Sequence, residues 1–331
     1  MSLRVPNGAE ALCNHTPHHV PAGRQLGRVR TNAPLGSLVW LTVDVPGWRS
    51  AKPGQFALLQ SEPSRCFLAR ALSVADEVGE RVSFLIAPVG EGTRELCELA
   101  PGAGVWVLGP LGNGFDTEHI GGSGGFPATC APTSSSSRGR LLIVAGGVGM
   151  APFPLLLSRV GDHAAVASSG GAPAETSACR LSEVVVLLGF RDAPQAQGAA
   201  KVVEAISRLR EAGVSCRFAL AVEDGSNGPA ERVTDLLARE LLPGDRLFVC
   251  GPAAMAASVW RTSCLVADVR TWFSLEAGMA CGVGSCHGCA LTLADGSMAR
   301  VCHDGPVFAG ESVFGLLTAA AHPADGGEEK S

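Results

Sequence analysis

Tyrosine is absent from this chain of 331 residues, and aromatic side chains of all kinds make up only 5% of it. No phenol is available to any site. Charge is also sparse, at 17% of residues, with 26 Lys and Arg against 31 Asp and Glu and a net charge of -5. A nucleic-acid partner needs a basic surface to meet its phosphates, so none is expected. No apolar run approaches the roughly 18 residues needed to cross a bilayer, so no membrane span is expected either. The opening residues lack the basic stretch followed by an apolar one that marks a secretory signal. The expectation is a soluble, cytoplasmic protein.

What the chain does have is length for two domains and a small third, with an ordinary apolar fraction of 46%. It also has twelve cysteines. Eight of them, Cys13, Cys66, Cys97, Cys130, Cys179, Cys216, Cys250 and Cys264, are scattered singly, which reads as reduced thiols in a cytoplasmic protein rather than a disulfide framework. The other four, Cys281, Cys286, Cys289 and Cys302, follow a C-x4-C-x2-C-x12-C pattern. A C-x4-C-x2-C run with a distant fourth cysteine is the plant-type ligand spacing of a [2Fe-2S] cluster. Gly282, Gly284 and Gly288 lie among the ligands and let the backbone bring N–H groups near sulfur. A tetrahedral zinc site is the competing reading, although zinc sites usually pair their cysteines as two short C-x2-C knuckles. His287 and His303 stand beside ligands, but a Rieske centre uses histidines in place of two cysteines, and here all four cysteines are present.

The rest of the chain divides by its grammar. Residues 1–22 carry no apolar periodicity and read as a disordered tail. Across residues 23–116, short alternating segments bounded by Gly, Pro and Asp predict an antiparallel β-barrel. Residues 117–139 and 161–180 are rich in Gly, Ser, Ala and Pro and read as flexible inserts. Residues 140–268 alternate buried strands (Leu141 to Gly147, Val184 to Phe190, Cys216 to Asp224, Arg246 to Pro252) with helical stretches such as Ala199 to Gly213, the pattern of a parallel α/β sheet. Residues 269–315 hold the cysteine loop as a separate small unit, and residues 316–331 read as a second disordered tail.

Several weaker signals join the cysteines. Gly146, Gly147 and Gly149 follow the strand LLIVA, where a glycine turn lets the backbone approach a pyrophosphate, but Pro152 replaces the third glycine of the dinucleotide fingerprint. Cys250, Gly251 and Pro252 close another strand at the end where open sheets take ligands. Arg70 with Ser73, and Gly92 with Thr93 at a short helical start, each suit a phosphate or a heteroatom ring. Taken alone, each also has a plain structural reading: a solvated Arg, a turn Ser, a helix cap, a buried thiol.

The order of these signals, ending in SLEAGMACGVGSCHGCA and VCHDGPVF and including GPLGNGF and EDGSNG, resembles the ferredoxin-reductase-like flavoproteins. It resembles more closely those that serve as electron transfer subunits of NAD-dependent dihydroorotate dehydrogenases. The resemblance covers about Gly27 to Val313. It implies an oxidoreductase subunit carrying FAD, a [2Fe-2S] cluster and NAD. It implies that Arg70, Ala71, Leu72 and Ser73, the backbone of Leu85, Ile86 and Ala87, and Gly92 with Thr93 bind FAD. It implies that Gly146, Gly147, Gly149, Cys250, Gly251 and Pro252 line the NAD site. An FMN-containing catalytic subunit, in a heterotetramer, would be the partner in oxidising dihydroorotate to orotate for pyrimidine biosynthesis. Related flavin and iron-sulfur subunits of sulfide dehydrogenases or ferredoxin:NADP oxidoreductases share these motifs. A non-enzymatic interaction module that binds a metal through the four cysteines is a more distant alternative. Two departures stand out: Ala71 replaces a usual Pro, and Pro229, Ala230 and Glu231 replace a frequent Lys-Gly after the DGS-x-G turn.

Overall fold

The computed structural model describes residues 23–116, 139–168 and 181–315. The two expected tails, and most of both expected inserts, lie outside the described residues. Within them, no helix is long and apolar enough to cross a membrane.

The first unit is a closed barrel of six antiparallel strands, β1 (Gln25–Leu35), β2 (Leu38–Asp44), β3 (Phe56–Glu62), β4 (Arg70–Val78), β5 (Arg81–Ile86) and β6 (Gly104–Leu111), in the order β1-β2-β5-β4-β3-β6. One short helix, α1 (Glu91–Cys97), follows β5. Closure leaves no exposed strand edge. The interior is filled by inward-facing Leu41, Val43, Leu59, Val74, Phe84 and Ile86, all fully buried, as alternation along each strand requires. The β1–β2 turn needs its glycine twice over. Gly36 has φ +65, and a Cβ there would lie 1.8 Å from the Pro194 carbonyl oxygen of the next unit.

The second unit contains β7 (Gly139–Gly146), α2 (Phe153–Ser168), β8 (Leu181–Phe190), α3 (Ala193–Ala196), α4 (Ala200–Glu211), β9 (Cys216–Val222), α5 (Val233–Glu240), β10 (Arg246–Cys250), α6 (Ala253–Ser263) and β11 (Arg270–Ser274). Its five strands are parallel, in the order β11-β10-β7-β8-β9. The near-continuous apolar runs of β7 and β8 are those of strands covered on both faces. Leu141, Ile143, Val184 and Val186 pack on one side with Leu156, Val202 and Ile206, and Leu142, Val144, Val185 and Leu187 on the other with Leu237 and Val259.

The first of these cores also takes in Leu38, Trp40, Ala75, Leu85 and Phe115, so barrel and sheet share one apolar interior. A polar lock reinforces the junction. Glu77 of β4 is almost wholly buried and accepts hydrogen bonds from Trp48 Nε1 (2.8 Å), Ser50 Oγ (2.6 Å), the Ala51 N–H (3.0 Å) and the Arg159 guanidinium of α2.

Two expectations need correction. The segment 161–180 was expected to be a flexible insert throughout, but its first eight residues complete α2. Their alanines favour a helix, and Gly161 brings the helix against Leu209 and Ala212 at the α4 end. Gly139, placed in the other insert, begins β7. The unit 269–315 is likewise not separate from the sheet. β11 pairs with β10, and β14 (Val307–Ala309) pairs antiparallel with β11 as a sixth strand. The reason lies in Phe273, which is buried in edge contact with Trp260 (centroids 6.4 Å) and Phe314 (5.0 Å), the latter on α7 (Gly310–Phe314). Helices α6 and α7 give that side chain its cover. Between β11 and β14 the chain makes the cysteine excursion, which includes one small hairpin, β12 (Ala290–Thr292) with β13 (Met298–Arg300).

Candidate functional site

The excursion folds back onto the barrel. Phe56, Leu58 and Leu111 of the barrel form one apolar core with Cys289, Ala299, Val301, Cys302 and Phe308, and Ala69, Ala71 and Met279 pack against it. Gly282, at φ +69, lies so close to this wall that a Cβ would be 2.7 Å from the Leu58 side chain. The loop therefore sits where β4 presents Ala71.

Its four thiols fall into two pairs. Cys289 and Cys302 are buried, with Sγ atoms 3.1 Å apart, whereas Cys281 and exposed Cys286 are joined by a Cys286 N–H donated to Cys281 Sγ at 3.4 Å. Every sulfur accepts at least one backbone N–H: Cys302 from Gly284 (3.1 Å), Cys281 from Cys286, and Cys286 and Cys289 from Gly288 and Cys302 (3.4 Å each). Among the described residues, no three His, Cys, Asp or Glu side chains converge as a single metal ion requires. Two thiol pairs, each hydrogen-bonded at sulfur, suit a dinuclear cluster with two thiolates to each iron.

The loop also biases the thiols electrically. Burial opposes ionisation of Cys281, but the N–H groups of Val283, Cys286 and Ser285 outweigh it and bring that thiol down to about 6. Burial, followed by the bond shared with Cys289, pushes Cys302 up to about 12. Metal must displace a proton there, which couples loading to pH. The two histidines stay out of the ligand set. His287 is exposed, and His303 Nδ1 lies 2.8 Å from Asp304 Oδ1.

On the barrel, the four residues of β4 divide between two faces. Arg70 lies across Gly92, where a Cβ would come within 2.5 Å of Nε and 2.7 Å of Nη2, and its Nη1 donates to Leu68 O at 2.7 Å. Leu72 packs toward the barrel core, while Ala71 packs toward the cysteine loop. Leu85 and Ile86 have fully buried side chains, which leaves only their backbone for any ligand. Thr93 is the third residue of α1, and its hydroxyl is engaged with both N–H (2.9 Å) and C=O (3.0 Å) of Gly90, so it acts as a cap of the helix start. Gly92 is the residue that leaves room for the Arg70 guanidinium.

In the sheet, the glycine loops after β7 and β10 meet. Cys250 is in register with Ala145, and a Cβ on Gly149 would stand 2.5 Å from Cys250 O and 2.7 Å from Gly251 Cα. A Cβ on Gly146 would meet Met255 Sδ at 2.7 Å and Pro252 Cδ at 2.9 Å. Gly146, Gly149, Cys250, Gly251 and Pro252 thus converge at the carboxyl ends of adjacent parallel strands, the end where open sheets bind ligands, while Gly147 faces Gln195. The Cys250 thiol is held up at about 12, chiefly by burial and next by the Glu276 charge, so it is an inert wall and not a nucleophile.

With this geometry in place, comparison with known proteins is specific. A profile of the iron-sulfur cluster binding domain of dihydroorotate dehydrogenase B matches residues 276–314. The chain is 31% identical over 293 residues to the dihydroorotate dehydrogenase B (NAD(+)) electron transfer subunit of Caldanaerobacter subterraneus subsp. tengcongensis, covering 87% of this chain and 97% of that one. The chain belongs to that electron transfer subunit family. The Bacillus caldolyticus subunit of the same name is 33% identical over 269 residues, covering 80% of this chain and 87% of its own. Among solved structures, one described as the NADH-dependent reduced ferredoxin-NADP oxidoreductase aligns with a TM-score of 0.63 at 23% identity, over 88% of this chain and 91% of that one. A ferredoxin NADP+ reductase from Neisseria gonorrhoeae with bound FAD and NADP aligns with a TM-score of 0.52 at 18% identity, over 73% and 90%. Both share the fold expected from the sequence, an antiparallel barrel followed by an α/β sheet.

Three residues of this family member escaped sequence reasoning. Asn113, within GPLGNGF, donates Nδ2 to Asp304 O (3.0 Å) and Val307 O (2.9 Å) and accepts from the Val307 N–H (2.9 Å), pinning the returning end of the cysteine excursion to the barrel. Glu95 of α1 accepts from Ser61, Ser64 and Arg65 and shapes the loop that leads into Arg70. The Ser64 and Ser61 hydroxyls, with the Arg65 N–H, bring the Glu95 carboxyl down to about 2, so that anchor is complete above ordinary carboxylate pKa values and is lost only as pH falls toward 2. Arg300 is the third. Only Asn113 had a signal, its place in a quoted motif; Glu95 and Arg300 look like surface ion-pair residues.

Proposed function

We propose that the chain is the electron transfer subunit of an NAD-dependent dihydroorotate dehydrogenase, linking a catalytic FMN-containing partner to NAD through a [2Fe-2S] cluster and FAD, in the cytoplasm. The observation that carries this reading is the shared core of Cys289, Cys302 and Ala71, because it sets a one-electron site against the strand that bears the flavin-binding candidates. FAD, when bound, exchanges hydride with a nicotinamide and single electrons with a cluster, a conversion neither neighbour performs alone.

The protein's own groups supply binding and orientation. Arg70 and Gly92 hold the flavin phosphates, with Ser73 and the backbone of Leu85, Ile86 and Ala87 along the ring. The interlocked loops around Gly149 and Gly251 receive the nicotinamide nucleotide, and buried Cys250 keeps that wall apolar. Cys286, at the exposed edge of its loop, faces the partner. Among the described residues, no cysteine outside the ligand set is in a disulfide, which fits a reducing compartment. A heterotetramer, two copies of each subunit, is the assembly this reading implies.

Purification with the partner tests the whole assignment. The complex should contain FMN, FAD, iron and sulfide and should reduce NAD with dihydroorotate only when this subunit is present. Turnover driven by sulfide or ferredoxin instead, with none from dihydroorotate, would defeat it. Gly92→Ala tests the cradle. Its Cβ displaces a flexible Arg70 side chain, so thermal stability should barely change. FAD should bind about tenfold more weakly, about 1.4 kcal/mol, by equilibrium dialysis. Unchanged FAD affinity would remove Arg70 from the site.

A further inference from the structure

Arg300 sits behind the cysteine loop and touches no ligand. Its Nη1 donates to Gly284 O at 3.2 Å, and the N–H of that same Gly284 donates to Cys302 Sγ at 3.1 Å, the shortest of the four N–H to sulfur bonds. Gly284 cannot turn away. It is buried at φ +82, and a Cβ would lie 3.0 Å from His303 Cβ and 3.2 Å from Arg300 Nη1. Arg300 is itself fixed from the other side by Asp304, through Nε (3.1 Å), Nη2 (3.2 Å) and the backbone N–H (2.7 Å), while the Asp304 N–H returns to Arg300 O at 2.8 Å. The resulting turn, residues 300–304, carries Cys302 at its centre.

We propose that Arg300 is a positioning residue for the cluster: by gripping the Gly284 carbonyl it keeps the Gly284 N–H on Cys302 Sγ, and so raises the reduction potential of the cluster. The inference rests on the [2Fe-2S] reading above. Its physics has two parts. An N–H donated to a ligand sulfur withdraws negative charge, which favours the more negative reduced cluster, and hydrogen bonds to sulfur are among the factors that set these potentials. The guanidinium adds a fixed positive charge near the same sulfur, and by gripping the carbonyl of the 284–285 peptide it fixes the backbone of Gly284 from the side opposite its N–H. A surface ion pair with Asp304 alone would do neither, because it would not reach Gly284.

Redox titration of the loaded subunit, followed by the cluster's paramagnetic resonance, reads the effect directly. Arg300→Gln should lower the equilibrium constant for one-electron reduction about tenfold, which is a potential about 59 mV more negative, and should alter the resonance. FAD content and NADH oxidation by an artificial acceptor should be unchanged. Arg300→Lys restores charge without the planar fork, so its shift should be smaller and in the same direction. It carries the measurement if Arg300→Gln loses its cluster on purification. A loaded variant with the wild-type potential and resonance overturns the proposal while leaving the cluster reading intact. Wild-type protein without iron and sulfide would overturn both.

Discussion

Cys302→Ser is expected to yield a protein that is yellow with flavin but lacks iron, sulfide and the cluster's visible absorbance. Dihydroorotate-dependent NAD reduction in the complex should be abolished, while NADH oxidation by an artificial acceptor stays within about twofold. Cys302 is buried beside Cys289 and accepts the Gly284 N–H, so nothing else stands ready to replace its sulfur. A serine hydroxyl at that position would remain protonated and offer a hard oxygen where the iron takes a soft thiolate. The flavin candidates Arg70 and Gly92 lie on the barrel and make no contact with Cys302, which is why FAD should survive. Ala71 is the point of exposure for this prediction, because it packs on the core that contains Cys302. FAD lost together with the cluster would show that the two sites cannot be treated as separable.

Arg140→Met should destabilise the chain by about 3–5 kcal/mol in denaturant unfolding at neutral pH, the usual cost of stripping one partner from a buried charge. Arg140 is held at the amino-terminal end of β7, away from both nucleotide loops. It donates to Asp245 Oδ2 (2.8 Å), Glu183 Oε2 (3.0 Å), Glu240 O (2.9 Å) and Glu240 Oε2 (3.3 Å). The Asp245 side chain is only 2% exposed. Burial raises the Asp245 pKa, with the Leu242 N–H and Arg140 opposing it. A carboxyl raised on folding favours the folded state when protonated, and that contribution is lost as pH rises through its folded pKa. Without Arg140 the opposition weakens, so the deficit of the variant should shrink as pH falls. Glu183 is lowered, chiefly by Arg217, and keeps that partner in the variant. Adding Asp245→Asn should recover much of the loss. A single variant whose deficit is the same at every pH would mean that Asp245 is not the group left stranded.

The cluster ligands were legible because their signal is local: four cysteines at fixed intervals with glycines between them need no knowledge of the rest of the chain. The glycine turns that end β7 and β10 were legible for a similar reason, since a buried strand running into glycines is written in consecutive residues. Sequence reasoning failed where the decisive contact is distant. β11 and β14 are five and three residues long, and their place in the sheet rests on pairing with distant strands and on the aromatic contacts of Phe273. Arg300 and Asp304 stand at i and i+4, the spacing of an ordinary surface ion pair, and nothing in the sequence announces Gly284 as the third member. The use of the Thr93 hydroxyl within its own turn was also not marked by more than its place at a helical start. The Ala-rich end of α2 was confused with its Gly- and Ser-rich continuation because composition shifts gradually there.

The topology of the excursion has an architectural consequence. Ser274, where the chain leaves the sheet, is in register with Val307, where it returns, and antiparallel neighbours lie only about 5 Å apart at Cα. Residues 275–306 are thus a cassette with adjoining ends, and a short turn would suffice to reconnect the strands. Excision would still leave a scar. Phe56, Leu58 and Leu111 would lose the cover of Cys289, Ala299, Val301 and Cys302, and Asn113 would lose the Asp304 carbonyl, so the redox outlet doubles as the plug of the barrel.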